Sequence, residues 1–365
     1  MRVHPVPFVV ASLALGVTVA AVLLVGRATG LLLTDVRDTP YYEVLHDDGA
    51  TPAEVIRVAE APEQLVVLDD GTEVRLYGIR DQEGGEAQKA AVQVRRRGAS
   101  PVERAVPPLL DLTSVGDHAV LHSQEGVVTT VDADGSLREV TTSATGGDGS
   151  LRPAGAQAAD GVEVSDVLVG NLERAYLYRP SDRSVHEVRL EGVEPYTVPV
   201  VAIVGGRTWV ADVNDPAATT VRWSEDGRTW RSVEYASAGP FAIVGSPDGR
   251  TVALAGVESP EDGPASTGSL YLVGRDGSVR PVDLPEERLA ESAAAWTPDG
   301  RVLLGNGEDG WWRLDDDGWT RLDVPGDAAA LAPAGDRLFA SGTRGPEDAA
   351  WVSDDAGESW EELGE

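Results

Sequence analysis

The sequence predicts an all-β fold: a β-propeller of seven blades, with six blades as the alternative, preceded by one N-terminal transmembrane helix. Two observations predict the propeller. Turns of the Asp-Gly type recur every 37 to 50 residues, and a second kind of turn precedes an apolar strand in four consecutive units. Repeats of this length, each with several short strands, need neighbours to bury their faces. An uncharged stretch near the N terminus predicts the helix.

Composition and charge narrow the class of protein. The chain has 365 residues, 42% of them apolar, with 41 glycines, which is typical of a folded and turn-rich protein. Its formal net charge of -31 disfavours nucleic-acid binding, because an acidic surface repels phosphate backbones. The absence of cysteine excludes disulfides, a thiol nucleophile, a lipid-modified cysteine and thiolate zinc sites. It does not reveal the compartment.

The N-terminal segment predicts a membrane anchor. Residues 8–25 contain no charged side chain, a length at the border between a signal-peptide core and a spanning helix. A cleaved signal ends in a small-x-small site, and the sequence Gly26-Arg27-Ala28-Thr29-Gly30 fits that pattern poorly. Residues 1–33 are therefore predicted to be an uncleaved signal anchor.

The orientation of the anchor follows from its flanking charges and its position. Arg2 and the terminal amine favour a cytoplasmic N terminus, whereas Arg27 and Arg37 favour the opposite orientation under the positive-inside rule. A very short N-terminal tail before a single apolar stretch is the usual layout of an export signal. We therefore expect a single-pass protein of the cell membrane with the propeller outside the cytoplasm.

The next segment, residues 34–53, is rich in Asp, Gly and Pro and is predicted to be a tether. Within it, Tyr41 to Leu45 have the composition of a strand. The propeller is predicted to occupy residues 54–365.

One turn in each predicted blade has the sequence of a tight hairpin. In an Asp-Gly pair, Gly accepts a positive φ and Asp can accept hydrogen bonds from turn amides. Seven turns recur at the equivalent position of the repeat, four of them Asp-Gly pairs, and they predict seven blades. They lie at Arg97-Gly98, Asp134-Gly135, Ser181-Asp182, Asp226-Gly227, Asp276-Gly277, Asp317-Gly318 and Ala356-Gly357.

A second turn signature precedes an apolar strand in the C-terminal half. It is clear in Ser246-Pro247-Asp248-Gly249-Arg250 and Thr297-Pro298-Asp299-Gly300-Arg301, and looser at residues 332–337 and 205–207. This signature resembles the S-P-D-G-R turn of WD-repeat-like bacterial propellers. The third predicted blade lacks a clear first hairpin, so the last four blades are predicted to be the more regular ones.

The last predicted hairpin fits a longer pattern, S/T-x-D-x-G-x-S/T-W/F, which is carried by Ser353, Asp355, Gly357, Ser359 and Trp360. The chain therefore resembles the Asp-box, or bacterial neuraminidase repeat, propellers. A related stretch is one residue shorter between its Asp and its Thr, so its turn must be tighter. Its matching residues are Ser224, Asp226, Gly227, Thr229 and Trp230.

The resemblance implies a structural role for these boxes. In Asp-box propellers they lie on the periphery, away from the axial site, and occur in many proteins that are not enzymes. A sialidase would also need three Arg, a Tyr-Glu pair, an Asp acid and usually an R-I-P motif. The nearest string here is Tyr178-Arg179-Pro180, which lacks the middle residue. No catalytic residue is predicted.

Other candidate sites are weaker. His118 and His122 lie four residues apart without an evident third metal ligand, and residues 315–317 form an acidic run without the spacing of a calcium loop. Trp311 and Trp312 follow Gly310, so alternation on a strand would bury one ring and expose the other, where it could stack on a sugar. No metal site and no cofactor are predicted.

Three functions remain open at this point. The first is a membrane-anchored propeller outside the cytoplasm that binds a protein or a glycan as a scaffold, without catalysis. The second is an exo-sialidase-type glycoside hydrolase. The third, which follows from a resemblance to photosystem assembly factors of the non-catalytic Asp-box type, is a factor for assembly of a membrane complex.

Overall fold

The computed structural model describes residues 40–363 with short gaps. The predicted transmembrane stretch, residues 8–25, lies outside the described residues. The gaps are residues 82–87, 109, 124–126, 146–150, 155, 160–161, 164, 171–174, 189–199, 216–217, 227–228, 236–240, 259–265, 286–292, 307–308 and 346.

The chain folds into a seven-bladed β-propeller, as predicted. Each blade is one sheet, and the sheets follow one another along the chain. Blade one contains β1 (Gln64–Val67), β2 (Glu73–Arg80), β3 (Gln88–Arg95) and β4 (Val102–Val106). Blade two contains β5 (Asp111–Val115), β6 (His118–His122), β7 (Val128–Asp132), β8 (Leu137–Thr145) and β9 (Leu151–Ala154).

Blades three to five continue the series. Blade three contains β10 (Gln157–Ala159), β11 (Val167–Gly170), β12 (Ala175–Arg179) and β13 (Ser184–Val188). Blade four contains β14 (Val200–Val204), β15 (Arg207–Asp215), β16 (Ala218–Ser224) and β17 (Arg231–Tyr235). Blade five contains β18 (Phe241–Gly245), β19 (Thr251–Glu258), β20 (Ser266–Gly274) and β21 (Val279–Val282).

The last two blades complete the ring. Blade six contains β22 (Ala293–Trp296), β23 (Val302–Asn306), β24 (Gly310–Asp315) and β25 (Gly318–Leu322). Blade seven contains β26 (Asp327–Ala334), β27 (Arg337–Arg344), β28 (Glu347–Ser353) and β29 (Glu361–Glu362).

The first strands of neighbouring blades lie around the axis. β14 contacts β18, β18 contacts β22, and β22 contacts β26. β26 contacts β1, β1 contacts β5, and β11 contacts β14. All described strands of blade seven come from the C-terminal part of the chain. Among the described residues the ring therefore closes by packing of blade seven on blade one, without exchange of a strand.

The antiparallel order gives the ring two distinct faces. In the six regular blades, the turns from first to second strand and from third to fourth strand lie at the same end, which we call the hairpin face. The Arg275 N–H, in the turn between β20 and β21, donates to the Arg250 carbonyl, in the turn between β18 and β19, at 2.8 Å. The opposite end, formed by the other loops and the connections between blades, is called the loop face.

Blade three departs from this plan. Its strand β10 lies at the outer edge and pairs in parallel with β13, and its innermost described strand is β11. Arg183, in the β12–β13 turn, binds Asp117 in the turn after β5, so this turn lies on the hairpin face. Because β11 is antiparallel to β12, it begins at the end of the ring where β5 ends. This reversal explains why the sequence of the blade shows no first hairpin.

Aliphatic side chains fill the interfaces in the first half of the ring, and tryptophans are added in the second half. Val74, Val92 and Leu121 are buried between blades one and two. In blade four, Trp209 and Trp223 are cross-strand partners with ring centroids 5.2 Å apart. All Trp residues lie in blades four, six and seven, and blades four to seven have regular four-stranded sheets, as the sequence predicts.

The segment before the propeller is a helical pair. Helix α1 (Pro40–His46) lies within the predicted tether and covers the predicted strand at Tyr41 to Leu45, and helix α2 (Pro52–Ala59) begins at the end of the predicted tether. Both predictions are therefore wrong for these residues. Thr51 and Glu54 form a reciprocal capping box that begins α2. The first strand accordingly begins at Gln64 rather than near residue 54.

The helical pair is held to blade one by apolar contacts. Val44, Leu45, Val55 and Ala59 recur at helical spacing and pack on a cluster of β2 and β3 that includes Ile79. The tether prediction weighed Asp, Gly and Pro and overlooked this spacing. No helix within the described part of the chain is long and apolar enough to cross a membrane.

Candidate functional site

The last Asp-box residues lie on the hairpin face and bind one another. The Ser353 hydroxyl donates to Asp355 Oδ1 at 2.8 Å and accepts the Gly357 N–H at 2.7 Å. Asp355 Oδ1 accepts the Ser359 N–H at 2.8 Å, and its Oδ2 accepts the Ser359 hydroxyl at 2.6 Å. Hydrogen bonds from Ser359 and Ser353 lower the pKa of Asp355 to about 2. Trp360 packs on the cluster between blades six and seven.

The shorter box is built in the same way. The Ser224 hydroxyl donates to Asp226 Oδ1 at 2.9 Å, and Asp226 accepts the Thr229 N–H at 2.6 Å and its hydroxyl at 2.9 Å. Trp230 is half-buried, and Gly227 lies outside the described residues. Both boxes therefore use their carboxylates to hold turns, and their assignment as purely structural boxes stays a prediction. Membership of the Asp-box family stays a prediction.

The same device occurs in the first turns of blades five and six. The Ser246 hydroxyl donates to Asp248 Oδ1 at 2.7 Å and accepts the Thr251 N–H at 2.9 Å. Thr297 likewise donates to Asp299 and accepts the Arg301 N–H. In each of these turns a hydroxyl and a carboxylate two residues later satisfy each other and the turn amides. The hydrogen bonds of these side chains therefore stabilise turns of the hairpin face.

Histidine 118 is a core residue. It is 1% exposed, and its Nε2 lies 2.8 Å from the hydroxyl of Tyr178 in blade three, while its Nδ1 lies 2.6 Å from Asp117. Burial raises the pKa of Tyr178 to about 12. Among the described residues no group of three or more His, Asp or Glu is arranged to hold a metal ion. The pair of His118 and His122 is thus split between the two ends of β6.

On the loop face, His122 belongs to a polar group near the axis. It lies opposite Asp111 in the β5–β6 pair, and its Nε2 is 3.5 Å from the Thr113 hydroxyl. Gln64, at the start of β1, donates to Asp111 at 3.5 Å and accepts the Leu112 N–H at 2.7 Å.

Its surroundings shift the pKa of His122 in two opposite directions. Burial lowers the pKa of His122, and the neighbouring Asp111 opposes that shift. A neutral imidazole can accept a proton. Sequence spacing alone did not show this group, because Gln64, Asp111 and His122 come from three strands.

A depression of about 470 Å³ opens on the loop face between blades six and seven. It is formed by the β23–β24 loop of blade six and the connection from β25 to β26. Trp311, one of its lining residues, is buried, and its Nε1 donates to the Ala328 carbonyl at 2.8 Å. Its lining residues are Asn306, Gly310, Trp311, Arg321, Leu322, Asp323, Val324, Gly326, Asp327 and Ala328. Of these, the sequence singled out only Gly310 and Trp311.

The two tryptophans beside the depression alternate as predicted, with one difference. Trp311 is 1% exposed, and Trp312 is half-buried rather than exposed. The guanidinium carbon of Arg321 lies 5.7 Å from the centre of the Trp312 ring, so the arginine covers the face of that ring. The arginine, more than the ring, is available to a ligand.

The described axis offers no sialidase set. The seven strands nearest the axis (β1, β5, β11, β14, β18, β22 and β26) carry no Arg, Tyr or Glu. Arg179 of the Tyr178-Arg179-Pro180 string is at the end of β12, on the hairpin face, where its Nη2 donates to Asp166 at 2.8 Å. This ion pair joins the end of β12 to the residue that precedes β11 in the same blade.

Fold and site together define a seven-bladed propeller with a depression on its loop face. Solved structures of similar fold include a catalytically inactive variant of virginiamycin B lyase from Staphylococcus aureus with quinupristin. That likeness has 13% identity and a TM-score of 0.52, and it covers 81% of this chain and 95% of the lyase.

A second similar structure is an acylaminoacyl peptidase from Pyrococcus horikoshii. It shares 12% identity over 84% of this chain with a TM-score of 0.52, and the chain spans about half, 52%, of the peptidase. At these identities both likenesses show the propeller fold alone. No protein-family model and no curated protein sequence matches the chain.

Proposed function

We propose that this chain is a single-pass membrane protein whose propeller lies outside the cytoplasm and binds a protein or a glycan through its loop face, without chemistry of its own. The loop-face depression carries the binding part of the proposal. It is lined by charged side chains and bare backbone, and its volume is within the usual range of ligand sites.

The distribution of polar groups supports binding rather than catalysis. On the hairpin face, the carboxylates of Asp226 and Asp355 are engaged by the hydroxyls and amides of their own turns. The described inner strands carry no arginine that could bind a substrate carboxylate. The acidic charge of the chain further disfavours nucleic acid as the partner.

The membrane part of the proposal rests on the uncharged residues 8–25. Protease added to intact cells that express the chain with a C-terminal epitope should remove the propeller, because it would lie outside the membrane. A cytoplasmic marker protein should stay intact as the control. Complete protection of the epitope in intact cells, with cleavage after lysis, would overturn the placement.

Enzymatic activity is tested separately. The purified full-length protein should not release the fluorophore from a fluorogenic sialoside, with a bacterial sialidase as the positive control. Turnover by this chain would replace the binding proposal with the hydrolase. Co-purification in fixed stoichiometry with a membrane complex would favour the assembly factor.

A further inference from the structure

From the depression between blades six and seven, we propose that this chain binds a neutral, hydroxyl-rich ligand there, namely a short oligosaccharide. The inference rests on the proposed function and deepens it by naming the ligand class and the site. Four properties of the depression support it: the bare backbone of two lining residues, the fixed arginine on its rim, the mixture of hydrogen-bond donors and acceptors, and the net negative charge of the rim.

Two of the lining residues are glycines with positive φ. At Gly326 (φ 66°) a Cβ atom would lie 2.6 Å from the Thr343 carbonyl oxygen and 2.7 Å from the Trp351 ring. At Gly310 (φ 88°) it would lie 3.2 Å from Arg321 Nη2. Side chains are disfavoured at both positions, so the lining of the depression is bare backbone there.

The arginine on the rim is held in place. The Arg321 guanidinium stacks over Trp312, and its Nη2 donates to the Asp309 carbonyl at 3.3 Å. Asp309 is in turn held by Asn306, which accepts the Asp309 N–H at 2.7 Å and donates to its carboxylate at 3.1 Å. Arg321 forms no ion pair with another described residue, so several of its N–H groups can still donate to a ligand.

The rim combines donors and acceptors. Asp323 and Asp327 are exposed and form no ion pair within the described residues, and their carboxylates only accept hydrogen bonds. Arg321 only donates. A sugar hydroxyl donates and accepts at once, so a ligand with adjacent hydroxyls matches both kinds of group.

Charge decides between ligands of similar size. Two exposed carboxylates and one guanidinium give the rim a negative balance, which repels an anionic sugar such as a sialoside. A basic peptide would be attracted by the carboxylates but would bring its own cation against Arg321. A neutral oligosaccharide avoids both penalties.

The test is titration calorimetry on the full-length protein in detergent with maltotriose, mannotriose and triacetylchitotriose, alongside sialyllactose and tetralysine. At least one neutral trisaccharide should bind more tightly than the other two probes. Arg321→Ala should weaken that binding at least tenfold, because hydrogen bonds from a charged donor are lost. The control Arg280→Ala, an exposed arginine on the matching outer strand of blade five, should leave it unchanged.

A second variant guards against loss of folding. Asp327→Asn keeps the size of an exposed side chain and should also weaken binding, with Asp283→Asn as its control. If no neutral trisaccharide binds at about 10-millimolar concentration, or if tetralysine binds more tightly, the inference is overturned. The proposal that the propeller binds a protein or glycan is not affected by that result. Neutral binding that survives both rim variants overturns the site. Sialoside turnover, in contrast, would overturn the proposed function itself.

Discussion

Arg337 of blade seven donates from Nη2 to Oε1 of Glu73 in blade one at 2.7 Å, across 264 residues of sequence. Glu73 also binds Arg75 at 2.8 Å on its own strand. Below this polar group, Leu65 of β1 and Phe339 of β27 are buried in one cluster. Because no strand is exchanged between the two blades in the described structure, these contacts hold the ring closed.

The first prediction concerns this seam. Arg337→Ala should lower the free energy of unfolding by about 1–2 kcal/mol, because Glu73 loses one charged hydrogen bond in a mostly buried place but keeps Arg75. Urea unfolding followed by tryptophan fluorescence measures the change. Arg344→Ala in the same blade, whose pair with Glu362 is more exposed, should cost less than about 1 kcal/mol. Equal costs for the two variants would show that the seam has no special role.

The seam should also respond to pH. Burial opposes ionisation of Glu73, but the hydrogen bonds from Arg337 and Arg75 prevail and lower its pKa below 4.5. A carboxyl group with a depressed pKa stabilises the fold above its unfolded pKa and loses that contribution as pH falls through the folded pKa. The difference in stability between wild type and Arg337→Ala should therefore be constant near neutral pH and shrink on acidification below pH 4.5. A difference independent of pH down to complete protonation would contradict this linkage.

The second prediction concerns the hydroxyl in the last Asp box. Ser353 is 1% exposed, and Ser353→Ala would leave the buried Gly357 N–H without its acceptor. The expected cost is about 1–3 kcal/mol in thermal or urea unfolding. Ser278→Ala removes a hydroxyl that binds Asp276 in an exposed turn of blade five, so it should cost clearly less. A structural box also predicts that ligand binding at the loop face is unchanged in Ser353→Ala.

The third prediction concerns the ionisation of Asp355. Carbon-detected NMR titration of the carboxyl groups should show Asp355 titrating with a pKa of about 2. In Ser359→Ala, the pKa should move up toward the ordinary value of 3.8, because the hydroxyl that favours the carboxylate is lost. Asp355 therefore stabilises the fold above its unfolded pKa and loses that effect as pH falls toward 2. An unshifted pKa in the wild type would contradict the hydrogen bonds described for the box.

The sequence predicted the blades well because their signals are local. Asp276-Gly277 and Ala356-Gly357 need particular residues for their backbone conformations, and such turns can be read without knowing what packs around them. Blade three was harder, since the reversal of β11 depends on contacts with blade two. The depression was not predicted, because Gly310 and Arg321 of blade six meet Asp327 of blade seven only when the two blades pack together.

The fourth prediction concerns the buried pair of Tyr178 and His118. Tyr178→Phe would leave the His118 Nε2 without its partner in a fully buried place and should cost about 1–3 kcal/mol. In the wild type, one tyrosine should ionise only near pH 12, and this late step should vanish from the ultraviolet titration of the variant. Since the folded pKa is raised, the contribution of Tyr178 persists below its unfolded pKa and is lost as pH rises through 12. Urea-unfolded wild type, in which tyrosines ionise near pH 10, is the reference.

The last prediction concerns the helical pair before the propeller. Leu45 is 2% exposed in α1 and packs on blade one, where the Tyr41 hydroxyl also donates to the Arg80 carbonyl at 2.9 Å. If the pair belongs to the cooperative unit of the propeller, Leu45→Ala should lower its stability by about 2–4 kcal/mol through the cavity it creates. Glu43→Ala, on the exposed side of α1, should change it little. A separate early transition in Leu45→Ala, with the main unfolding midpoint unchanged, would instead show that the pair is an independent unit docked on blade one.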